Sequence, residues 1–234
     1  MNPGKPAHLG IIMDGNRRWA KQHSLRSLIN GHEEGAQKFI DVCTWCIEEE
    51  IPHLSVYAFS TENWNRAQDE VDSLMQLLKS MFINQIALCI EKNIRVRVVG
   101  NRALLSEDVR AVIASAEERT FTNQALTVHI ALSYGGRDEI VRAAKSLCQT
   151  ALEGKIAPEA IDESVFASHL DTSGSPDIDL VIRTGGQHRL SNFFPWQTVY
   201  SEIHFIDALW PDFSKAMFHD ALTHYRNITI NLGK

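Results

Sequence analysis

The sequence predicts an α/β fold: one domain with a six-stranded, largely parallel sheet and helices on both faces. Short apolar runs of strand length alternate with amphipathic stretches of helix length, the pattern of a sheet covered on both sides. Polar, chemistry-bearing residues fall directly after those runs, where a parallel sheet gathers its ligands. One helix carries an apolar arc wider than a single core face requires. No internal repeat, low-complexity tract or domain-sized linker divides residues 1–234, and residues 1–7 and 228–234 read as flexible ends.

The first strand is Leu9-Gly10-Ile11-Ile12-Met13, and it ends in Asp14-Gly15-Asn16-Arg17-Arg18. A short helix over residues 17–22 follows, then a polar stretch to residue 30. Asn30-Gly31-His32-Glu33 opens the next helix, with Glu33 three residues beyond the cap, and Pro52 marks its end. Residues 54–59 read as the second strand, followed by the polar turn Ser60-Thr61-Glu62-Asn63-Trp64-Asn65-Arg66. A tryptophan in such a turn is either a core plug or part of a site. Residues 71–90 form the over-wide helix; its extra apolar side lines a cavity, meets another element or meets a partner subunit. A strand at 94–99, a helix at 106–120 and a strand at 126–132 lead to Ser133-Tyr134-Gly135-Gly136 and a helix at 137–152. A short helix at 164–170 precedes the fifth strand and its glycine turn, 179–186. Residues 187–192 open a helix that holds Trp196, a sixth strand spans 202–206, and a helix at 214–227 closes the pattern.

At 44% apolar and 22% charged residues the composition is that of an ordinary globular protein. A net charge of −6 argues against nucleic acid as the main partner, which usually meets a basic face. No run of about 18 apolar residues is present to span a membrane. Cys43-Thr44-Trp45-Cys46 has redox spacing, yet it lies inside a helical pattern and reads as core. Reduced cysteines suit a cytoplasmic chain.

The strand ends carry the chemistry. The first supplies Asp14, Gly15, Asn16, Arg17 and Arg18; the second Ser60, Glu62, Asn63, Trp64 and Arg66; the fifth Arg183, Arg189 and Ser191; the sixth Glu202. Arginines converging on one rim repel one another unless an anion sits among them, and guanidinium suits phosphate. A helix start offers free N–H groups to the same anion. Asp14 and Glu202 add hard oxygen ligands of the kind Mg²⁺ uses beside phosphates. The rim reads as a Mg²⁺–phosphate site. Asp-Gly after a strand is also a common turn, and taken alone it favours that plainer reading.

The motifs Ile12-Met13-Asp14-Gly15-Asn16-x-Arg18-Trp19-Ala20, Gly31-His32 with Gly35, Tyr57-Ala58-Phe59-Ser60-Thr61-Glu62-Asn63-Trp64-x-Arg66, Tyr134-Gly135-Gly136, Asp179 to Phe193 and Trp210-Pro211-Asp212-Phe213 occur in order from about His8 to Phe213. On these residues the chain resembles the cis-prenyltransferases. The resemblance implies a Mg²⁺-dependent transferase that condenses isopentenyl diphosphate onto an allylic diphosphate, such as farnesyl diphosphate, with cis double bonds. The product it implies is a long polyprenyl diphosphate such as undecaprenyl diphosphate, a cell-wall lipid carrier precursor. It also implies a homodimer in the cytoplasm, associated with a membrane through its lipid product. By the same resemblance Asp14 and Glu202 hold Mg²⁺. Gly15, Asn16, Arg17, Arg18, Trp19 and His32 surround the allylic diphosphate, with Arg26 as a further arginine in an uncertain register. Arg183, Arg189, Leu190 and Ser191 hold isopentenyl diphosphate. Ser60, Thr61, Glu62, Asn63, Trp64 and Arg66 lie between the substrates, with Asn63 at proton removal. An amide is a poor base, so Asn63 is better read as orienting a substrate while the departing diphosphate takes the proton.

Four departures stand out: Arg17 in place of glycine, Gln187 in place of glutamate, Ala67 in place of proline, and a bulky Leu132 in place of a small residue. They bear on chain length and kinetics more than on reaction class. Ala36, Ala58, Leu126 and Leu132 join residues 71–90 as candidate tunnel wall. The alternatives are a shorter-chain synthase of the same kind, a non-catalytic subunit and a strand-end aspartate phosphatase.

Overall fold

All six apolar runs form strands, and every neighbouring pair is parallel, in the spatial order β3-β4-β2-β1-β5-β6. The computed structural model describes residues 4–24 and 29–228. The strands are β1 (His8–Ile12), β2 (His53–Ser60), β3 (Ile94–Val99), β4 (Leu126–Tyr134), β5 (Leu180–Arg183) and β6 (Glu202–Phe205). The helices are α1 (Asn16–Gln22), α2 (Ile29–Glu48), α3 (Gln68–Glu91), α4 (Glu107–Thr120), α5 (Gly136–Leu152), α6 (Glu163–Ala167) and α7 (Lys215–Asn227). All five residues of β1 are buried, as a central strand covered on both faces requires.

The two faces differ. Leu9, Ile11, Leu54, Val56, Phe59, Val96 and Val128 join α2, α3, α4 and α7 residues in the larger core. Ile12, Ala131, Tyr134 and Val181 meet Phe193 and Phe194 in a smaller one. Cys43 and Cys46 are buried free thiols in α2, as core residues should be.

Three expectations are corrected. No helix holds Trp196: residues 191–200 form consecutive turns, and Ser191, Asn192 and Phe194 take positive φ, which a helix cannot accommodate. Glu202 begins β6 rather than ending it. Pairing sets Glu202 level with Leu180 and Leu180 level with Leu9, so parallel direction puts it at the opposite end of the sheet from Asp14. At 3.3 Å per residue that is roughly 16 Å along the strands. Third, α3 is long and apolar enough to cross a membrane by length and composition, against the expectation of no such run. Part of its apolar breadth is used internally, Val71, Leu74, Phe82 and Ile86 being core residues, while Ile83 and Ile90 are exposed. Arg26 lies outside the described residues, as do most of the expected flexible ends; Ala7 and His8 backbone N–H groups are both held by the Asp179 carboxylate.

At the amino ends of the strands the sheet face turns polar. His8, His53 and His129 lie with ring centroids 5.4–6.0 Å apart. His8 Nδ1 donates to the Pro176 carbonyl, and its Nε2 accepts from Ser55. His129 Nε2 meets the Ser175 hydroxyl, and Arg97 donates to the carbonyls of Asp171 and Ser173. The segment 171–176 is therefore tied down by sheet side chains. Burial pushes the His8 pKa down to about 4, its bond to Pro176 opposes the shift, and His53 adds to it. His129 is held well below 6.5 by burial and by His8, Arg97 and His53; burial and Arg97 also lower His53.

A depressed histidine pKa means that the unfolded chain binds more protons as the solution is acidified. Stability is therefore present above pH 6.5 and lost as pH falls toward 4, with a limiting slope of about 1.4 kcal/mol per pH unit per histidine. Urea unfolding between pH 7.5 and 4.5 measures this. His129→Asn, which still offers Ser175 a partner, should flatten the slope; an unaltered slope refutes the assignment.

Candidate active site

β1 ends between β2 and β5, and the residues after these three strands meet at one rim. Asp14 is fixed there by its backbone. Its N–H donates to Thr184 Oγ1 at 3.1 Å, and its carbonyl accepts from Thr184 Oγ1 at 2.8 Å and from the Trp210 N–H at 3.0 Å. Gly15 then caps α1 with φ of 117°, a value that favours glycine, and an added Cβ would press on Leu209 at 2.9 Å. No side chain caps α1, so its first-turn N–H groups remain open to a ligand. α2 packs against this turn through glycines: a Cβ at Gly31 would strike the Asn16 carbonyl, and one at Gly35 would come within 2.5 Å of Asn16 Oδ1.

The Asp14 carboxylate reaches two arginines. Arg183 Nη2 lies 3.0 Å from Oδ2 and Arg18 Nη2 lies 3.3 Å from Oδ1. Arg183 is only 3% exposed. Its other amine donates to the Ser191 hydroxyl at 2.8 Å and to the Arg189 carbonyl. Its Nε–H is buried without a partner, as are Asn16 Oδ1 and His32 Nε2. Native interiors seldom leave such atoms unsatisfied, so three at one rim point to a polar ligand.

Arg66 and Arg17 share Glu70, with N–O distances of 3.0 and 3.6 Å. His32 stands beside them. Burial, then the charges of Arg66 and Arg17 against the opposing pull of Glu70, lower its pKa to about 4. The ring is neutral at pH 7. Asn16 Nδ2 can only donate, so its long 3.5 Å contact to His32 Nδ1 leaves Nε2 carrying the proton, as a donor. In the next loop Asn63 Oδ1 accepts the Ser60 N–H at 3.0 Å, which leaves its NH₂ group for a ligand. Burial raises the Glu62 pKa, but bonds from its own backbone N–H, Ser60, Asn192 and Thr61 outweigh that and hold it below the usual value.

These groups frame a cleft of about 760 Å³, lined among others by Asn16, His32, Ser60, Glu62, Asn63 and Arg66 with Asp14 and Ser191. It adjoins a narrow apolar cavity of about 130 Å³ beneath α3, bounded by Ala36, Ala58, Leu74, Leu78, Phe82 and Ile86. Met13, Asn16, His32 and Phe59 line both. Leu126 and Leu132, expected in its wall, are fully buried in the larger core instead.

Other expected site residues stand apart from the cleft. The Trp19 indole stacks on His23 and donates to Asp212 at 2.8 Å. Trp64 packs edge-on against Phe59 and donates to Ser133 at 2.9 Å, which makes it the core plug. Leu190 packs on the smaller core, Thr61 sits against Gly135, and Arg189 is held by Gln187 at 2.7 Å. Glu202 is at the far end, so one chain does not bring it to Asp14. Among the described residues no three metal-ligating side chains converge. Among the cleft residues missed are Arg137 and Asn192. Their signals were present: Arg137 opens a helix directly after Gly135-Gly136, and Asn192 follows Ser191.

The chain matches the prenyltransferase family model described as "Putative undecaprenyl diphosphate synthase" over residues 12–233. It is 44% identical over 220 residues to an isoprenyl transferase of Agrobacterium fabrum, covering 94% of this chain and 89% of that protein. It is 42% identical over 234 residues to the ditrans,polycis-undecaprenyl-diphosphate synthase ((2E,6E)-farnesyl-diphosphate specific) of Legionella pneumophila, covering 100% and 98%. The fold superposes on lavandulyl diphosphate synthase from Lavandula x intermedia, solved with dimethylallyl diphosphate, with a TM-score of 0.94, 33% identity and coverage of 98% and 99%.

The geometry makes a binding prediction that needs no turnover. Inorganic pyrophosphate with Mg²⁺, titrated by calorimetry, should bind the wild-type chain. Arg183→Ala should weaken that binding by about tenfold to a hundredfold, the range for a lost charge-assisted bond. Asp14→Asn should remove its dependence on Mg²⁺. Equal affinity in all three chains would contradict the site.

Proposed function

The chain belongs to the isoprenyl transferase family, and from that premise we propose that it joins isopentenyl diphosphate units to an allylic diphosphate, creating cis double bonds and a long polyprenyl diphosphate. The observation that carries this reading is the junction of the two spaces. A polar cleft lined by Arg66 and Arg137, with the unsatisfied His32 Nε2–H and Asn16 Oδ1 in its wall, opens directly onto an apolar cavity. A molecule with a doubly phosphorylated head and a growing hydrocarbon tail fits that pair of environments.

The allylic diphosphate is assigned to the turn of Gly15, Asn16, Arg17 and Arg18, with His32 Nε2–H and Arg66 beside it. Isopentenyl diphosphate is assigned to Arg183 and Ser191, with Arg189 swinging from Gln187. Asp14 suits Mg²⁺, which binds through one or two carboxylates and completes its shell with substrate phosphates and water. A single rim carboxylate with no further protein ligand fits that habit. When bound, Mg²⁺ neutralises the negative charge that builds on a departing diphosphate. The guanidinium groups and the free N–H groups of α1 are aimed at the same charge before the reaction begins. Losing Asp14 to the metal would also free Arg18 and Arg183 to face phosphate. The two head groups, held by adjacent strand ends, bring the allylic carbon and the isopentenyl double bond together. The Asn63 NH₂ group orients the head between the loops. One proton leaves the new link, and the departing diphosphate accepts it.

A shorter product is the second reading, favoured by the small volume of the apolar cavity, about 130 Å³. We also propose a homodimer: Val199 and Tyr200 are largely exposed just before the edge strand β6, and Ile203 is partly exposed on it. An apolar cluster beside unpaired strand groups calls for cover. Sedimentation equilibrium should give twice the chain mass, and a monomer at micromolar concentration would count against it.

Purified chain with Mg²⁺, farnesyl diphosphate and labelled isopentenyl diphosphate should extend the allylic primer, and product mass gives the number of units. Asp14→Ala should lower kcat at least a hundredfold. Leu78→Trp should shorten the product while leaving the first condensation intact. Diphosphate release with no carbon–carbon bond formed would overturn the reading in favour of a phosphatase.

A further inference from the structure

We propose that Asn192 is a positioning residue: it locks the loops after β2 and β5 to the start of α5, so that the two diphosphate subsites hold a fixed spacing. The proposal rests on the cleft being the two-substrate site described above.

Asn192 has φ of 68° and follows Ser191 at 51°, left-handed conformations in which asparagine is among the few tolerated side chains. Three elements converge on it. Its carbonyl accepts the Gly136 N–H at 2.8 Å, and its Oδ1 accepts the Arg137 N–H at 2.9 Å. Its Nδ2 donates to Glu62 Oε1 at 3.1 Å. Ser191, the preceding residue, takes the bond from Arg183, which pairs with Asp14. A continuous path, Glu62–Asn192–Ser191–Arg183–Asp14, thus crosses the rim from one subsite to the other. The joint is tight: a Cβ at Gly135 would lie 2.5 Å from Thr61 Oγ1 and 2.9 Å from Asn192 Nδ2, and one at Gly136 would overlap Pro195.

The chemistry of the joint selects an amide. One side-chain atom must accept from a backbone N–H while the other donates to a carboxylate. Aspartate offers two acceptors, and alanine offers neither group. No reacting atom needs to touch Asn192. Its effect passes through Ser191 and Glu62.

The test compares the wild type with Asn192→Ala, Asn192→Asp and Asn192→Asp/Glu62→Gln, read both as kinetics and as Mg²⁺–pyrophosphate affinity across pH 5–9. Asn192→Ala should raise the KM for isopentenyl diphosphate and lower kcat, each about tenfold, with a smaller change in the allylic KM. Asn192→Asp keeps the Arg137 bond but sets a carboxylate against Glu62, so the pair titrates above the usual carboxylate range. At low pH one proton bridges the two oxygens and the joint holds. Above that pKa both readouts should fall about tenfold relative to the wild type at the same pH, a limb read in a comparison that cancels the titration of pyrophosphate itself. The double variant, in which a new amide at position 62 donates to the new carboxylate at position 192, should remove the limb. Arg66, Arg137 and Arg183 stay charged and Tyr57, raised by burial and by Glu62, stays protonated throughout, so none of them supplies that limb. An Asn192→Asp pH profile superimposable on the wild type, or wild-type constants for Asn192→Ala, overturns the proposal. Absence of isopentenyl incorporation by the wild type would instead sink the functional reading, and pyrophosphate affinity would still decide the role of Asn192.

Discussion

The contact between Asp14 and Arg183 governs the rim. It joins residues at the ends of two adjacent strands, β1 and β5, and one partner is almost wholly buried. A guanidinium withdrawn from water is costly unless a charge and several acceptors surround it. Here it has one carboxylate, one hydroxyl and one carbonyl, and still keeps an unpartnered Nε–H. That incomplete arrangement is what an anion-binding arginine needs. It is held in place without ligand, yet retains capacity for one. The order of strands supplies the rest, because β1 lies between the two strands whose loops carry the other polar groups.

A second carboxylate does similar work on the other side of the cleft. Glu70, in the first turn of α3, holds Arg66 and Arg17. The Arg17 guanidinium crosses from α1 to α3 rather than folding over the turn. Asp14 and Glu70 each neutralise two arginines at the rim. A diphosphate arriving there exchanges one set of anionic partners for another instead of meeting bare positive charge.

The sheet, most of the helices and the rim were legible in the sequence because each rests on a local signal. Period, glycine turns and strand-end polar residues are all read within a few positions. What was misread depends on direction or on distant packing. Glu202 leads its strand in sequence, and only the parallel pairing with β5 shows that this leading end lies at the amino edge of the sheet, away from Asp14. The segment around Trp196 has helix-like apolar spacing, but Ser191, Asn192 and Phe194 take left-handed conformations imposed by the joint with α5. Trp19 and Trp64 sit inside substrate-like motifs, yet their indole N–H groups are used by Asp212 and Ser133. Asn192 adjoins Ser191 in sequence, which marks it as a site neighbour, but its bonds to the Arg137 N–H and to Glu62 depend on packing that no local signal shows.

The glycine contacts of α2 have a consequence for how such a fold diversifies. Gly31 and Gly35 bring that helix into direct touch with the Asn16 turn, leaving no volume for even a methyl group. At Gly35 the wall of the cavity is held by the same contacts that shape the head-group turn. The facing wall, built by the larger side chains of α3, carries no such obligation. Change in the volume of that cavity is therefore open along α3 and along the Ala36, Phe39, Ile40 and Cys43 positions of α2, and closed at the glycine face that meets the Asn16 turn.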